Sequence, residues 1–431
     1  MLKIFQLSAA PTAGISGFSP MSMNEMISAE RIHIGFFGMR NAGKSSLVNA
    51  VTGQELAVIS DVKGTTTDPV QKSMELLPLG PVVIIDTPGL DDEGALGTLR
   101  VQRAKQVLNK TDIAVLVMDG AVGMSQLDEE LVQDFEARKL PYILVYNKAD
   151  LLAECSKDEC SIAERTKDVC YVSTITGEGI YELKEKLGDF ARRTKKEKIL
   201  CADLFEAGDL VVLVTPIDES APKGRLILPQ QMVLREILDY HGIAVTCQDT
   251  ELKATLAALK QPPKLVITDS QAFKQVSQDT PKEIPLTSFS ILMARYKGNL
   301  SQLIQGAAAL SNLKDGDRVL ISEGCTHHRQ CNDIGTVKLP GLIRKYSGAN
   351  PEFSFTSGGE FPEDLSSYKV VVHCGGCMLN EKEMSHRMRV CADAKVPMVN
   401  YGIALAQMNG ILQRSIQPIP EVDLIENKIE K

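Results

Sequence analysis

A glycine-rich run, Gly38-Met-Arg-Asn-Ala-Gly43-Lys44-Ser45, constrains the fold more than any other stretch of this chain. It matches G-x-x-x-x-G-K-S and lies between an apolar run, IHIGFF, and an amphipathic run, SSLVNAVTG. Backbone N–H groups of such a loop surround phosphate oxygens, and the helix N-terminus that follows favours their negative charge. The run therefore predicts a phosphate site at a strand–helix junction, where Lys44 contacts the β and γ phosphates and the Ser45 hydroxyl binds magnesium.

Apolar and amphipathic runs alternate from Arg31 to about Arg193, which is typical of a parallel sheet with helical crossovers. Five apolar runs are predicted to be strands: Ile32 to Phe37, Val82 to Asp86, Ile113 to Asp119, Tyr142 to Asn147 and Val169 to Ser173. The charged stretch RRTKKEK, at residues 192–198, then ends the pattern. The sequence thus predicts an α/β phosphate-binding domain over residues 31–195.

Further motifs after these strands indicate guanine nucleotide. In Asp86-Thr-Pro-Gly89 the carboxylate is placed to hold magnesium through water and the glycine N–H to contact the γ-phosphate. In Asn147-Lys148-Ala-Asp150 the last carboxylate can accept two hydrogen bonds from the guanine edge, a donor pair that adenine lacks. The motifs therefore predict a GTPase rather than an ATPase.

Two more segments complete the expected nucleotide site. Ser173 and Thr174 would close over the base, and Thr66 is expected to be the magnesium ligand of the first switch loop. The residues assigned to catalysis are Lys44, Thr66, Asp86 and Gly89. The residues assigned to nucleotide binding are Gly38, Asn41, Ala42, Gly43, Lys44, Ser45, Ser46, Thr66, Asp86, Asn147, Lys148, Asp150, Ser173 and Thr174.

This N-terminal part resembles the TrmE/Era-like GTPases. The resemblance implies a potassium ion held by Asn41, because potassium-dependent members carry an asparagine at this place in the loop. Leu90 follows the glycine of the D-T-P-G motif, where Ras-like enzymes place a water-orienting glutamine. Hydrolysis is therefore expected to be slow and stimulated by K⁺.

Two further units follow along the chain. A small α/β unit is expected over 199–262, bounded by Gln261-Pro-Pro263, and a doubly wound α/β unit over 264–431. Residues 1–30 are expected to be a disordered tail, with an organelle-targeting role left open.

Cysteines and histidines cluster in the last third of the chain. Cys325-Thr-His327-His328 follows one predicted strand, and His373-Cys374-Gly-Gly-Cys377 follows another. Carboxyl ends of parallel strands share one edge, so these groups are expected to converge there together with Glu323. On residues alone, a Cys₃His zinc site and an iron–sulfur cluster with three cysteine ligands fit about equally, and a redox dithiol fits less well.

The whole chain resembles the FeFe-hydrogenase maturation GTPases, the HydF family, whose C-x-H…H-C-x-x-C pattern is met by Cys325, His327, His373, Cys374 and Cys377. The resemblance implies a 4Fe–4S cluster on the three cysteines and homodimerisation through residues 199–262. It also implies a transient diiron precursor as cargo, the radical-SAM maturases HydE and HydG as partners, and delivery to apo FeFe-hydrogenase.

The fourth cluster ligand stays open. His327, His373, Glu323, water and cargo are all candidates, and Cys331 is a less favoured substitute. His328 is assigned an outer position, orienting ligands without binding iron itself.

Composition bears on the competing functions. The net charge of −8 and pI near 5.5 count against nucleic acid as a partner, and no apolar run approaches the length of a membrane helix. Ten cysteines in a chain of this type suggest a reducing, cytoplasmic setting with metal chemistry. The alternatives are an RNA-linked TrmE/Era-like GTPase with a structural zinc domain and a GTP-gated dithiol oxidoreductase.

Overall fold

The N-terminal unit is built on a six-stranded sheet. The structure is a computed structural model, and it describes residues 29–54, 69–89, 103–151, 168–194, 198–217, 226–298, 300–324 and 334–421. The strands of this sheet are β1 (Ile32–Phe37), β2 (Val70–Leu76), β3 (Gly80–Asp86), β4 (Ile113–Asp119), β5 (Tyr142–Asn147) and β6 (Val169–Tyr171). They lie in the order β2-β3-β1-β4-β5-β6, and all pairs are parallel except β2–β3. The five predicted strands are confirmed, and β2 is an edge strand that the apolar pattern missed.

Helices cover both faces of this sheet. They are α1 (Lys44–Thr52), α2 (Gln126–Ala137) and α3 (Ile180–Thr194), and residues 103–108 are also helical. The central strands are continuous apolar runs because both of their faces are covered, and each face has its own buried cluster. At the start of α2, Ser125 and Asp128 form a reciprocal capping box that satisfies exposed helix N–H groups.

The middle unit contains a four-stranded parallel sheet in the order β10-β9-β7-β8. The strands are β7 (Leu210–Val214), β8 (Ile243–Cys247), β9 (Leu265–Thr268) and β10 (Leu286–Ser288). Its helices are α4 (Leu228–Asp239), α5 (Leu252–Ala258), α6 (Phe273–Asp279) and α7 (Phe289–Lys297).

This sheet corrects the expected boundary after residue 262. The proline pair at 262–263 is a turn within the unit, because β9 follows it directly and pairs with β7. The next strand, Leu286–Ser288, pairs with β9 and extends the same sheet. Ser288 then caps α7 by accepting a hydrogen bond from the Ile291 N–H.

The C-terminal unit has a second four-stranded parallel sheet, in the order β12-β11-β13-β14. The strands are β11 (Arg318–Glu323), β12 (Glu352–Ser357), β13 (Val370–His373) and β14 (Met398–Asn400). The helices are α8 (Leu300–Ala307), α9 (Leu339–Ser347), α10 (Glu381–Asp393), α11 (Tyr401–Met408) and α12 (Leu412–Ile416). Its apolar core is the largest of the described clusters and lies on both faces of the sheet.

Polar contacts join the three units. Asn380 donates a hydrogen bond from Nδ2 to the Lys110 carbonyl over 2.6 Å, which links the C-terminal unit to the first. Lys198 pairs with Glu381 at 2.7 Å. None of the described helices is long and apolar enough to cross a membrane. The expected N-terminal tail, apart from its last two residues, lies outside the described residues.

Candidate functional site

The glycine-rich loop joins β1 to α1, as predicted. Its backbone adopts positive φ at Gly38 (135°), Asn41 (61°) and Gly43 (85°). A Cβ on Gly43 would lie 2.2 Å from Asn147 Nδ2, so only glycine fits there. This winding leaves the α1 N-terminus at the carboxyl edge of the sheet, which is the geometry that binds phosphate.

Three side chains converge beside the loop. Lys44 is buried and donates from Nζ to the carbonyl oxygens of Gly38 (2.9 Å) and Met39 (2.7 Å). Ser45 donates from Oγ to Asp86 Oδ2 over 2.8 Å. The two residues predicted to serve magnesium, on α1 and β3, are thus in direct contact.

Asp86 has the environment of a cation ligand. Burial raises the pKa of its carboxyl, although Ser45 and Lys44 act in the opposite direction. Its Oδ1 atom is buried and has no hydrogen-bond partner among the described residues. A buried, unpartnered carboxylate oxygen costs free energy that a bound Mg²⁺ would recover, so this residue set fits the metal.

The base-recognition segment lies at the ends of β5 and β6. Asn147 is buried and donates from Nδ2 to the Ala42 carbonyl over 3.0 Å, which ties this segment to the glycine-rich loop. Lys148 (φ 63°) pairs with Asp119. Ser173 donates from Oγ to Asp150 Oδ1 over 2.6 Å and holds the exposed carboxylate in position. Thr66 and Leu90 lie outside the described residues.

The second site lies at the carboxyl ends of β11 and β13, which are neighbours in the C-terminal sheet. Ser322 pairs with His373 in the parallel register, and the Cys374 N–H donates to the Ser322 carbonyl over 2.9 Å. Glu323 ends β11 and Cys374 directly follows β13. The predicted convergence at one sheet edge is confirmed for these residues.

Two backbone donors face the Cys374 sulfur, one from the residue after β11 and one from the turn after β13. Cys374 Sγ accepts hydrogen bonds from the N–H groups of Gly324 (3.0 Å) and Gly376 (3.4 Å). Burial and the nearby Cys377 raise the pKa of Cys374 to about 11, and burial raises the pKa of Cys377 as well. Two neighbouring, partly buried thiols, with N–H donors aimed at one sulfur, fit a cationic metal centre that binds thiolates.

His373 has both ring nitrogens engaged within the protein. Nδ1 lies 2.7 Å from the Cys374 carbonyl, and Nε2 lies 3.0 Å from Arg387 Nη1. A carbonyl only accepts and a guanidinium only donates, so Nδ1 carries the proton and Nε2 accepts. Burial and the Arg387 charge lower the His373 pKa to about 3. This arrangement argues against His373 as the fourth ligand.

Arg387 is a functional neighbour that the motifs did not reveal. It is 1% exposed on α10 and also donates to the Gly358 carbonyl (2.6 Å) and Glu383 Oε1 (2.8 Å). Its guanidinium carbon lies 5.2 Å from the centre of the Phe361 ring. In the sequence, only the i, i+4 spacing of Glu383 and Arg387 pointed to an ion pair at this place. Such pairs are common on solvent-facing helices, so the spacing did not indicate a buried arginine.

Glu323 stays a candidate ligand. It is 4% exposed and its Oε1 accepts a hydrogen bond from Tyr401 over 3.1 Å. A Cβ on Gly335 would approach the same oxygen to 2.4 Å, so the segment beyond the cysteine group packs closely on this carboxylate. The remaining expected ligands, Cys325 and His327, lie outside the described residues, as do His328 and Cys331. The described ranges alone hold no group of three or more metal-binding side chains.

Family models match all three units of the chain. Residues 33–148 match a model described as "50S ribosome-binding GTPase". Residues 200–298 match "Hydrogen maturase F dimerization domain", and residues 301–418 match "Hydrogen maturase F tetramerization domain". The middle match ends where α7 ends, in agreement with the corrected boundary.

Curated relatives match the N-terminal unit. GTPase Der of Kosmotoga olearia is 34% identical over 170 residues, covering 37% of this chain and 38% of that protein. tRNA modification GTPase MnmE of Desulfotalea psychrophila is 35% identical over 154 residues, covering 35% of this chain and 32% of that protein. The chain therefore spans about a third of the length of these relatives. The predicted likeness to TrmE/Era-type GTPases is confirmed for this domain.

Among solved structures, a variant of Aquifex aeolicus Era bound to GDP.AlF4- is similar with a TM-score of 0.34 and 17% identity. The match covers 75% of this chain and 93% of that one. A likeness at this score adds nothing to the fold described above, which rests on the strand orders themselves.

Proposed function

Because the chain belongs to the hydrogen maturase F family, we propose that it is a GTP-hydrolysing scaffold that holds a 4Fe–4S cluster and delivers a diiron subcluster to apo FeFe-hydrogenase. One observation carries the proposal. Cys374 and Cys377 lie in one turn beside the strand that leads to Cys325, and the N–H groups of Gly324 and Gly376 donate to the Cys374 sulfur. This turn belongs to a chain that also contains a complete glycine-rich nucleotide loop.

The proposed nucleotide site uses side chains that already contact one another or the glycine-rich loop. Lys44 would bind the β and γ phosphates once it releases the Gly38 and Met39 carbonyls. Ser45 and Asp86 would hold Mg²⁺, and Asp150 would select guanine. In this proposal Thr66 would be a further magnesium ligand, the Gly89 N–H would contact the γ-phosphate, and Asn41 would hold K⁺.

The cluster site would use Cys325, Cys374 and Cys377 as ligands. When bound, a 4Fe–4S cluster with three protein thiolates offers one iron position that can exchange its ligand with cargo. Glu323 or His327 would occupy that position in the absence of cargo. The Gly324 and Gly376 N–H groups stabilise thiolate charge at Cys374, and His373 holds the Cys374 carbonyl.

The partners follow from the same proposal. Residues 200–298 would form the homodimer, and the cargo would be a diiron precursor carrying CO, cyanide and dithiolate ligands. HydE and HydG would supply it. The GTPase domain would act as the switch that controls loading or release.

The test is anaerobic reconstitution with iron and sulfide, followed by electron paramagnetic resonance of the reduced protein. The wild-type chain is expected to turn brown and show a 4Fe–4S signal. Cys325→Ser, Cys374→Ser and Cys377→Ser should each lose or alter it, whereas the matched control Cys247→Ser, on an edge strand of the middle unit, should not. Stoichiometric zinc without a cluster would overturn the proposal, and salt-sensitive RNA binding would favour the RNA-linked alternative.

A further inference from the structure

Lys297, the last residue of α7, is a charged side chain enclosed at the meeting point of the three units. It is 3% exposed, and a buried ammonium is costly unless it is paired and hydrogen-bonded. Its Nζ lies 3.0 Å from Glu30 Oε1, at the edge of the N-terminal unit. The same Nζ donates to two backbone carbonyls of the C-terminal unit, those of Leu379 (2.8 Å) and Cys377 (3.4 Å).

Those two carbonyls belong to the turn that carries the cysteines. The turn is closed by the Leu379 N–H, which donates to the Gly376 carbonyl over 3.0 Å. On its other side the Leu379 side chain packs on Gly324, where a Cβ would lie 2.6 Å from Leu379 Cγ. The turn is therefore held between the end of β11 and the Lys297 ammonium.

The charge of Lys297 also acts on the cysteine site. Its ammonium is buried and lies 3.4 Å from the Cys377 carbonyl oxygen, so its positive charge favours negative charge at this part of the site. Glu30 partly offsets the charge, and its second oxygen accepts a hydrogen bond from Tyr296 over 3.1 Å. Adding an electron to a cluster makes it more negative, and a nearby cation favours that reduced form.

We propose that Lys297 is a positioning residue of the cluster site, which holds the Cys377 turn through two carbonyls and raises the reduction potential of the cluster bound there. This inference rests on the proposed function. It makes the middle unit, which contributes no cysteine ligand, part of the cluster's electrostatic environment. The charge reaches the site only while the contacts between the three units are intact.

The experiment is a potentiometric titration of the anaerobically reconstituted full chain, followed by electron paramagnetic resonance of the reduced cluster. Lys297→Met should lower the midpoint potential, because a cation is lost beside the cluster. Glu30→Gln should raise it, because the anion that offsets Lys297 is lost. Lys198→Met is the matched control, because Lys198 pairs with Glu381 near the same turn but does not contact the turn's carbonyls. The midpoint potential of this variant should equal that of the wild type.

The outcomes separate this inference from the proposed function. A wild-type chain that binds no cluster overturns the proposed function. A wild-type chain that binds one, with the same potential in Lys297→Met, overturns the role of Lys297 alone. If Lys297→Met does not fold or does not bind a cluster, the midpoint potential of Glu30→Gln is the test. An unchanged or lower potential in Glu30→Gln rejects the proposal.

Discussion

Arg387 donates a hydrogen bond from Nη1 to Nε2 of His373 over 3.0 Å, and neither side chain is exposed to solvent. The pair fixes the imidazole as neutral, with its proton directed at the Cys374 carbonyl. The C-x-H…H-C-x-x-C pattern makes His373 a candidate metal ligand. In the structure its two ring nitrogens instead contact Arg387 and the Cys374 carbonyl.

Replacing Arg387 with methionine should destabilise the C-terminal unit by about 3 kcal/mol, because Glu383 and His373 lose their buried partner. The measurement is native-state hydrogen exchange at the amides of Val370–His373. Arg389→Met, an exposed arginine on the same helix, is the control and should change the free energy by less than about 0.5 kcal/mol. Equal effects of the two substitutions would contradict the assigned role of Arg387.

His373→Gln should retain the cluster after reconstitution, since neither nitrogen of His373 is directed at a metal. The amide can still donate to the Cys374 carbonyl, so the turn keeps part of its support. Pulsed electron paramagnetic resonance checks this directly. Loss of a nitrogen coupling on substitution would show that His373 binds iron after all.

Asp150→Asn should reduce the preference for GTP over XTP at least tenfold, because hydrogen bonds to a charged group contribute about 1.5–3 kcal/mol each. The amide offers guanine one acceptor and one donor in place of two acceptors. Competitive binding of the two nucleotides gives the ratio. Asp189→Asn, on the exposed face of α3, should leave that ratio unchanged.

Exchanging K⁺ for Na⁺ at constant ionic strength should slow GTP hydrolysis, if Asn41 holds the ion as proposed. Asn41 is an exposed residue of the glycine-rich loop, and its backbone has a φ of 61°. Steady-state phosphate release measures the effect. Identical rates in the two salts would rule out the potassium site, and Asn41→Ala should abolish the difference if the site is real.

Acid should lower the free energy of unfolding, partly through His386. Burial and the charges of Arg138, Arg389 and Arg387 lower the pKa of His386 to about 4. The unfolded chain binds this proton near pH 6.5, and the folded chain only near pH 4. Stability from this group is therefore complete above about pH 6.5 and declines as pH falls toward 4. The thermal midpoint of His386→Gln should fall less than that of the wild type between about pH 7 and pH 4.5, and parallel curves would reject this assignment.

Much of the fold could be predicted from the order of residues. Long apolar runs followed by glycine or acidic residues indicated the buried parallel strands, because both faces of such strands are covered. The edge strand Val70–Leu76 was missed because its residues are mostly exposed or half-buried. The limit of the middle unit was also missed, since strand pairing between β9 and β7 is a long-range contact that a proline turn does not reveal.

The sequence by itself determined which residues each site can offer: a glycine-rich loop with its magnesium and guanine motifs, and cysteines at strand ends. Local spacing is enough to predict these motifs, because each motif is a short run of residues. Only the tertiary structure decided which neighbours act on them. Arg387 reaches His373 from a neighbouring helix, and Lys297 reaches the cysteine turn from a helix of the middle unit. Burial makes both charges effective there.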